Sequence, residues 1–190
     1  EKINLTKMAA AKESKMGIPT AEFITDVKEY LRKKKVTVEE CVRSLNLIHG
    51  KYKFLEADLL QRKKALLQKI PDIKSTSECV AFLIKKREDD ESTEFESHYR
   101  MSDNLYTKAN IDAKEDRVFL WLGANVMLEF SFNEAKELLG KNLKNAELQC
   151  KSVSKDLEFV KDQITISEVN IARVHNHGVN MRKAAKAAGS

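Results

Sequence analysis

Turn-forming residues are scarce in this sequence of 190 residues, which contains only 6 glycines and 2 prolines. A compact globular domain of such length needs many chain connections, and those connections depend heavily on glycine and proline. Charged residues, by contrast, make up 33% of the chain. Few turns together with abundant Lys, Glu, Leu and Ala are typical of a few very long helices, which bury a narrow seam instead of a thick core.

Cysteines and long apolar runs are also limited. The 3 cysteines, Cys41, Cys79 and Cys150, form no Cys-x-x-Cys pair. This pattern argues against a disulfide framework or a zinc site, and it favours a reducing compartment. No apolar run approaches the roughly 18 residues that suggest a membrane-spanning helix. Residues 1–16 are polar and lack the apolar core of a secretory signal peptide, so we expect neither a membrane span nor a signal peptide.

Catalytic motifs are missing as well. The chain has no Gly-x-Ser-x-Gly, no phosphate-binding loop and no Gly-x-Gly-x-x-Gly. The adjacent carboxylates Asp89 and Asp90 diverge on a helix and do not converge on a substrate. His175 and His177 are two positions apart, whereas a metal-binding pair on one helix face needs a spacing of three or four. We therefore expect no enzymatic activity, no metal and no cofactor.

Opposite charges are interspersed, which is the usual pattern of solvated helix faces. The formal net charge is +5, and basic residues cluster only in short runs at 32–35, 85–87 and 182–186. The second run is followed at once by the acidic run 88–91. A nucleic-acid groove concentrates basic residues and often adds aromatic ones, so we expect no nucleic-acid partner. A basic helical nucleic-acid binder is retained only as an alternative.

Two long stretches show the three- and four-residue spacing of a coiled-coil seam. Each begins at a capping box, formed by Thr37 with Glu40 and by Ser131 with Glu134. Pro71 predicts a kink or local unwinding, which we interpret as a tolerated irregularity in the first helix. Gly178 is predicted to end the second helix. The seam residues are Leu45, Ile48, Tyr52, Leu55, Leu59, Leu66, Val153, Leu157, Val160, Ile164 and Ile171.

Between these helices the apolar pattern changes to the alternation of β-strands. Residues 105–111 and 126–130 alternate, 118–122 are apolar on both faces, and 123–125 form a tight turn. With a short stretch at 99–101, the pattern predicts two hairpins. Because an isolated hairpin is marginally stable and this one is strongly apolar, we expect other subunits to cover it. The residues of this oligomerisation platform are Leu105, Val118, Phe119, Leu120, Trp121, Leu122, Val126, Leu128 and Phe130.

The patterns divide the chain into six segments. They are a disordered tail at 1–16, a short amphipathic helix at 17–36, a coiled-coil helix at 37–98, the hairpins at 99–131, a second coiled-coil helix at 132–178, and a flexible basic tail at 179–190. The predicted fold class is mainly α with small β. The two long helices are expected to pair as an antiparallel coiled-coil hairpin, with the two β-hairpins inserted at its base.

Six sequence segments carry a resemblance to a known family. In their order and spacing they resemble the alpha-type subunits of the prefoldin family, in particular the third-subunit branch found in eukaryotes. The resemblance extends over residues 17–177. The segments are GIP at 17–19 followed by Phe23, KYKF at 51–54, KIP at 69–71, DNLY at 103–106, LWLGANVMLE at 120–129 and EVNIARV at 168–174.

The resemblance implies a fold and a function. Prefoldins are hexamers of two alpha-type and four beta-type subunits, whose hairpins form a β-barrel platform from which the coiled coils extend. The tips hold unfolded proteins, notably actin and tubulin, and deliver them to the cytosolic chaperonin without ATP. The implied location is cytoplasmic, with a nuclear pool also left open. The alternative function is a coiled-coil scaffold or tether of another prefoldin-like complex.

The predicted client-contacting tip lies where the first long helix begins and the second one ends. An apolar patch there is suited to holding unfolded chains, because such chains expose apolar segments. The alternative is that the short N-terminal helix simply packs onto the long helices as part of the core, and the sequence slightly favours this second interpretation. The tip candidates are Phe23, Ile24, Val27, Tyr30, Leu31 and Val174.

Overall fold

A computed structural model describes residues 19–88 and 93–188 of the chain. Its helices are α1 (Val27–Lys34), α2 (Val38–Glu88) and α3 (Phe132–Ala188), and its strands are β1 (Glu94–Ser102), β2 (Leu105–Asp112), β3 (Val118–Gly123) and β4 (Val126–Phe130). The predicted fold class, mainly α with two small hairpins between long helices, is confirmed. The predicted tail at 1–16 and the pair Asp89 and Asp90 lie outside the described residues.

The chain divides into two compact units. The first, called here the helical unit, runs to Lys64 and resumes at Lys151, and the second, called the hairpin unit, is Ala65–Cys150. Within the helical unit, Leu45 packs with Val174, and Leu59 packs with Val160. As the residue number rises along α2, the number of its packing partner on α3 falls. The two helices are therefore antiparallel in this unit.

Most of the predicted seam is buried or half-buried, but Ile48 is not. Ile48 is exposed, and the half-buried residue between Leu45 and Tyr52 is His49. An α-helix has 3.6 residues per turn, so the inward position after Leu45 can fall at either 48 or 49. His49 Nδ1 lies 3.1 Å from Ser167 Oγ, so this layer of the seam is polar.

Both predicted capping boxes are confirmed. The Glu40 carboxylate accepts hydrogen bonds from the Thr37 backbone N–H and hydroxyl at 3.0 and 2.9 Å, and Ser131 makes the same pair to Glu134. The backbone hydrogen bond, followed by the hydroxyl, lowers the pKa of each glutamate. Because these pKa values are lowered, the stabilisation by each cap is present above the ordinary carboxyl pKa and is lost as the pH falls through the lowered value.

Two predicted element boundaries are wrong. The first short helix begins at Val27, because the Asp26 side chain accepts hydrogen bonds from Lys28 N and Glu29 N at 2.8 and 3.2 Å and so caps the helix there. Residues 20–25 before it are not helical. The helix predicted to reach residue 98 ends at Glu88, since residues 94–98 pair with β2 as the first half of β1. Through Pro71, however, α2 continues without unwinding.

Gly178 does not end α3, which continues to Ala188 and contradicts the predicted flexible tail over most of its length. An added Cβ at Gly178 would lie 2.8 Å from Cγ1 of Val38. This glycine therefore allows the start of α2 to approach α3 closely, and its role is packing instead of termination.

Replacing Gly178 with isoleucine should destabilise the helical unit by about 1–3 kcal/mol, because the added side chain overpacks against Val38. The matched control is Gly140→Ala, where nothing lies within 4 Å of an added Cβ. That control should stabilise α3 by about 1 kcal/mol through helix propensity. Thermal unfolding of the assembled protein measures both effects, and a stabilising Gly178→Ile would contradict the close contact.

The hairpin unit contains two separate two-stranded antiparallel sheets, β1–β2 and β3–β4. The predicted turn after β3 is confirmed, with Ala124 and Asn125 at φ of 49° and 59°. Both residues lie in the left-handed region that a tight two-residue hairpin turn requires. One side of the second hairpin packs on α2 and α3. The cluster that joins them comprises Val118, Leu120, Phe130, Ile73, Val80, Ile84, Ala135 and Leu139.

Aromatic and ionic contacts attach both hairpins to the end of α2. Phe95 of β1 meets Phe82 edge-to-face, with ring centroids 5.4 Å apart. Arg87 pairs with Asp116 at 2.7 Å, and Asp116 in turn accepts from the Phe132 backbone N–H at the start of α3. These contacts hold the start of β1 and the loop before β3 against the end of α2 and the start of α3.

Candidate functional site

The outer face of the second hairpin is apolar, and residues 19–88 and 93–188 leave it uncovered. Along β3, Val118 and Leu120 are half-buried against the helices, whereas Phe119 and Trp121 are each 61% exposed. The expectation that other subunits cover this strand therefore concerns the face that carries Phe119 and Trp121, and it stays a prediction. Alternate side chains of a strand point to opposite faces, and the helices of this chain cover only one of them.

The predicted platform residues divide into two sets. Val118, Leu120 and Phe130 pack inward. The others are exposed: Leu105, Phe119, Trp121, Leu122, Val126 and Leu128. Sequence reasoning missed four further exposed side chains on the same hairpins, which are Tyr99, Met101, Tyr106 and Met127. For Met127 a signal was present, because the turn at 124–125 places it opposite Trp121 in the register.

Exposed apolar side chains on these hairpins coincide with free sheet edges. Because each sheet has only two strands, every strand leaves one edge unpaired within the sheet. Two-stranded hairpins are marginally stable alone, and open edges with apolar side chains associate readily with other strands. A further set of strands that paired with these edges would bury the same side chains. The arrangement has the properties of an assembly surface.

The predicted tip residues do not form a free surface. Ile24 and Val174 are 3% and 0% exposed, and Val27, Tyr30 and Leu31 pack against them. Phe23 is half-buried, with the Arg173 guanidinium 5.2 Å from its ring centroid. The structure thus favours the packing interpretation, because the turn of chain before α1 folds back onto α3 and covers these side chains.

A row of hydrogen bonds holds residues 19–25 along α3. Gln163 Oε1 accepts from the Ala21 backbone N–H at 2.7 Å, and Asn170 bonds the backbone at both Glu22 and Ile24. The hydroxyl of Tyr52 on α2 donates to the Pro19 carbonyl oxygen at 2.8 Å. A tyrosine hydroxyl is protonated at neutral pH and can donate this bond, and burial raises the pKa of Tyr52 further. The sequence signal for these contacts was two amides at inward positions of α3 seven residues apart.

An exposed apolar groove lies on the outer side of α2 in the helical unit. It is a shallow depression over one face of α2 alone, where Leu47 and Phe54 flank Gly50. Leu47 and Phe54 are 66% and 75% exposed. Both residues lie outside the predicted seam, and the sequence did not identify them as a site. Because they are one heptad apart, they lie on the same face of the helix.

Other candidate chemistry finds no support in the part of the chain that the structure describes. Residues 19–88 and 93–188 hold no group of three or more His, Cys, Asp or Glu side chains placed for a metal ion. Cys41 is buried beside Ile24, and desolvation raises the pKa of its thiol. Over the same ranges, no helix is both apolar enough and long enough to cross a membrane.

Comparison with known proteins identifies similar chains. The Prefoldin family model, described as "Prefoldin subunit", matches residues 52–177. The chain is 41% identical over 174 residues to "Probable prefoldin subunit 3" of Caenorhabditis elegans, covering 92% of each protein. It is 42% identical over 168 residues to "Prefoldin subunit 3" of Homo sapiens, covering 88% of this chain and 84% of the human one. With "Probable prefoldin subunit 3" of Schizosaccharomyces pombe it shares 43% identity over 173 residues, which is 90% of this chain and 95% of that relative.

Proposed function

Because this chain belongs to the prefoldin family, we propose that it is one subunit of a hetero-hexameric, ATP-independent holdase chaperone and is not an enzyme. Its partners in the hexamer are one further alpha-type subunit and four beta-type subunits. The observation that carries this proposal is the exposure of Phe119 and Trp121 on a hairpin whose other face is packed. Strands of neighbouring subunits would cover these side chains and pair with the free edges.

The complex captures unfolded proteins, among them actin and tubulin, and transfers them to the cytosolic chaperonin, which implies a cytoplasmic location. The apolar groove at Leu47 and Phe54 supports client holding, because unfolded chains expose the apolar segments that such a surface contacts. Each contact of this kind is weak. Several subunits that act together raise the effective affinity and still allow release to the chaperonin.

The native mass of the complex that co-purifies with this chain tests the proposal. We expect a hexamer of small subunits, each present once, with this chain among them. A homodimer of this chain, or a complex that contains nucleic acid, would refute it. A hexamer that does not suppress the aggregation of a denatured client would instead support the scaffold alternative.

The double substitution Leu47→Ser and Phe54→Ser should weaken client holding by about 30-fold without affecting assembly. The reason is that it removes two exposed apolar contacts from the groove, each contributing on the order of 1 kcal/mol. The measurement is the concentration of complex that halves the aggregation of chemically denatured actin. The control is Met181→Ser, which changes another exposed apolar residue that lies outside the groove. Equal activity of the double variant and the control would show that clients do not use this groove.

A further inference from the structure

The contact between Asn170 and the N-terminal segment has the geometry of strand pairing. Asn170 is buried, its Nδ2 donates to the Glu22 carbonyl oxygen at 2.8 Å, and its Oδ1 accepts from the Ile24 N–H at 2.9 Å. The orientation of the amide is fixed because a carbonyl oxygen can only accept and a backbone N–H can only donate. In a parallel sheet, one residue of a strand bonds the same pair of groups, a carbonyl and the N–H two residues later.

All the hydrogen bonds that hold the segment go to its backbone. Besides Asn170, Gln163 accepts from the Ala21 N–H, Tyr52 donates to the Pro19 carbonyl, and Arg173 Nη2 donates to the Thr25 carbonyl at 2.8 Å. Every polypeptide carries these backbone groups, so the contacts do not depend on the side chains of the bound segment. We call the α3 side chains Gln163, Asn170 and Arg173, together with Tyr52, the backbone-binding row.

Three side chains of the segment contact this site, and one of them is Phe23, whose half-buried ring lies 5.2 Å from the Arg173 guanidinium. Ile24 enters the apolar cluster that contains Cys41 and Val174, and Ala21 packs half-buried on the next cluster along the seam. The side chains of Glu22 and Thr25 are exposed. The site therefore favours an extended backbone with a small residue, an aromatic residue two positions later and an apolar residue directly after that. Short segments of unfolded proteins can meet this preference.

We propose that the backbone-binding row is a binding site for extended segments of unfolded polypeptide, and that residues 19–25 occupy this site in cis until a client segment displaces them. This inference rests on the holdase function proposed above and identifies which part of the chain grips the client. The tethered segment has a high effective concentration at the site, so a client must compete with it. This competition keeps the affinity of the site for clients moderate. When no client is bound, the segment covers the apolar pocket that holds Ile24.

The test uses the assembled complex that contains the full-length chain and measures fluorescence anisotropy of a labelled peptide. The probe peptide has the sequence PTASFISD, which keeps the alanine, the phenylalanine and the isoleucine and replaces the exposed Glu22 and Thr25 by serine. Ile24→Ser should release the internal segment and strengthen peptide binding by about tenfold, because the tethered competitor is weakened. Adding Asn170→Leu to that variant should abolish the gain, and so should N-methylation of the peptide isoleucine.

A second release variant protects the test against misfolding of the first. Ala21→Pro removes the N–H that donates to Gln163 but is compatible with extended backbone, so it should produce the same gain. If neither release variant binds the peptide better than the unmodified complex, the inference is overturned. If the complex then still suppresses client aggregation, the holdase function stands without this binding site. If the peptide binds as expected but the complex suppresses no aggregation, the holdase function fails while the binding site stands.

Discussion

Replacing Trp121 with aspartate should exclude this chain from its hexamer while its own hairpins remain folded. Trp121 is 61% exposed in the single chain and points away from the cluster that contains Val118 and Leu120, so the substitution leaves that packing unchanged. In the assembly the same position is expected to be buried by neighbouring strands. There the variant loses a large aromatic contact and buries a carboxylate without a partner, which costs several kcal/mol.

The fraction of chain recovered in the hexamer after co-expression with its partner subunits measures this effect. We expect a decrease in association of at least about 100-fold, which corresponds to about 3 kcal/mol. The matched control is Leu148→Asp in the same unit, because Leu148 on α3 is 57% exposed but lies outside the hairpins. Normal incorporation of Trp121→Asp, or equal exclusion of both variants, would refute the assembly role of this face. Purified alone, the unmodified chain should self-associate and the Trp121 variant should do so less.

Local rules explain why the helix starts could be predicted from sequence. In each capping box the two side chains are three residues apart and satisfy each other's backbone groups, so the pattern of Thr37 with Glu40 contains all the information required. Hairpin turns are similarly local, since the residues at 124–125 alone determine the reversal. Long heptad patterns are redundant, so one misassigned position such as Ile48 did not alter the predicted seam as a whole.

Contacts between distant residues explain what could not be predicted. In the sequence, the spacing of Ile24 predicts a place on the apolar face of an amphipathic helix. In the structure, its backbone N–H donates to Oδ1 of Asn170, 146 positions away. Gly178 looks like a helix terminator, yet its environment is set by Val38 at the start of α2. Periodicity records the exposure pattern of an isolated helix and carries no information about such tertiary partners, so the end of α3 was misassigned and the tip residues were left open between client contact and core packing.

The strand at 118–122 is a different case, because its composition predicts cover by other subunits in addition to its own helices. Five consecutive apolar residues predict cover on both faces, and the chain itself covers only one. The same reasoning applied to Phe54 would have indicated an exposed apolar site, because it lies outside the seam and has no partner in the pattern. Apolar residues that the chain's own fold does not bury are the positions where a single sequence indicates contact with other molecules.

Within the helical unit, Leu59→Ala should be among the most destabilising single changes. Leu59 is 1% exposed and packs with Leu157 and Val160 of α3 at the centre of the larger cluster. Truncating a buried leucine to alanine removes its transfer free energy and leaves a cavity, at a cost of about 2–5 kcal/mol. The next residue provides the control, because Leu60 is 46% exposed and Leu60→Ala should cost less than about 1 kcal/mol.

Hydrogen exchange at the α3 amides around Val160, measured in the assembled complex, separates this effect from any effect on assembly. Leu59→Ala should accelerate exchange there by about 30-fold or more, since a loss of 2 kcal/mol in local opening free energy corresponds to that factor. Exchange in the hairpin strands should not change, because Leu59 contacts none of them. If Leu59→Ala and Leu60→Ala accelerated exchange equally, the antiparallel pairing of α2 with α3 at this level would be incorrect. The position of the backbone-binding row, which depends on that pairing through Tyr52, would then also have to be reassigned.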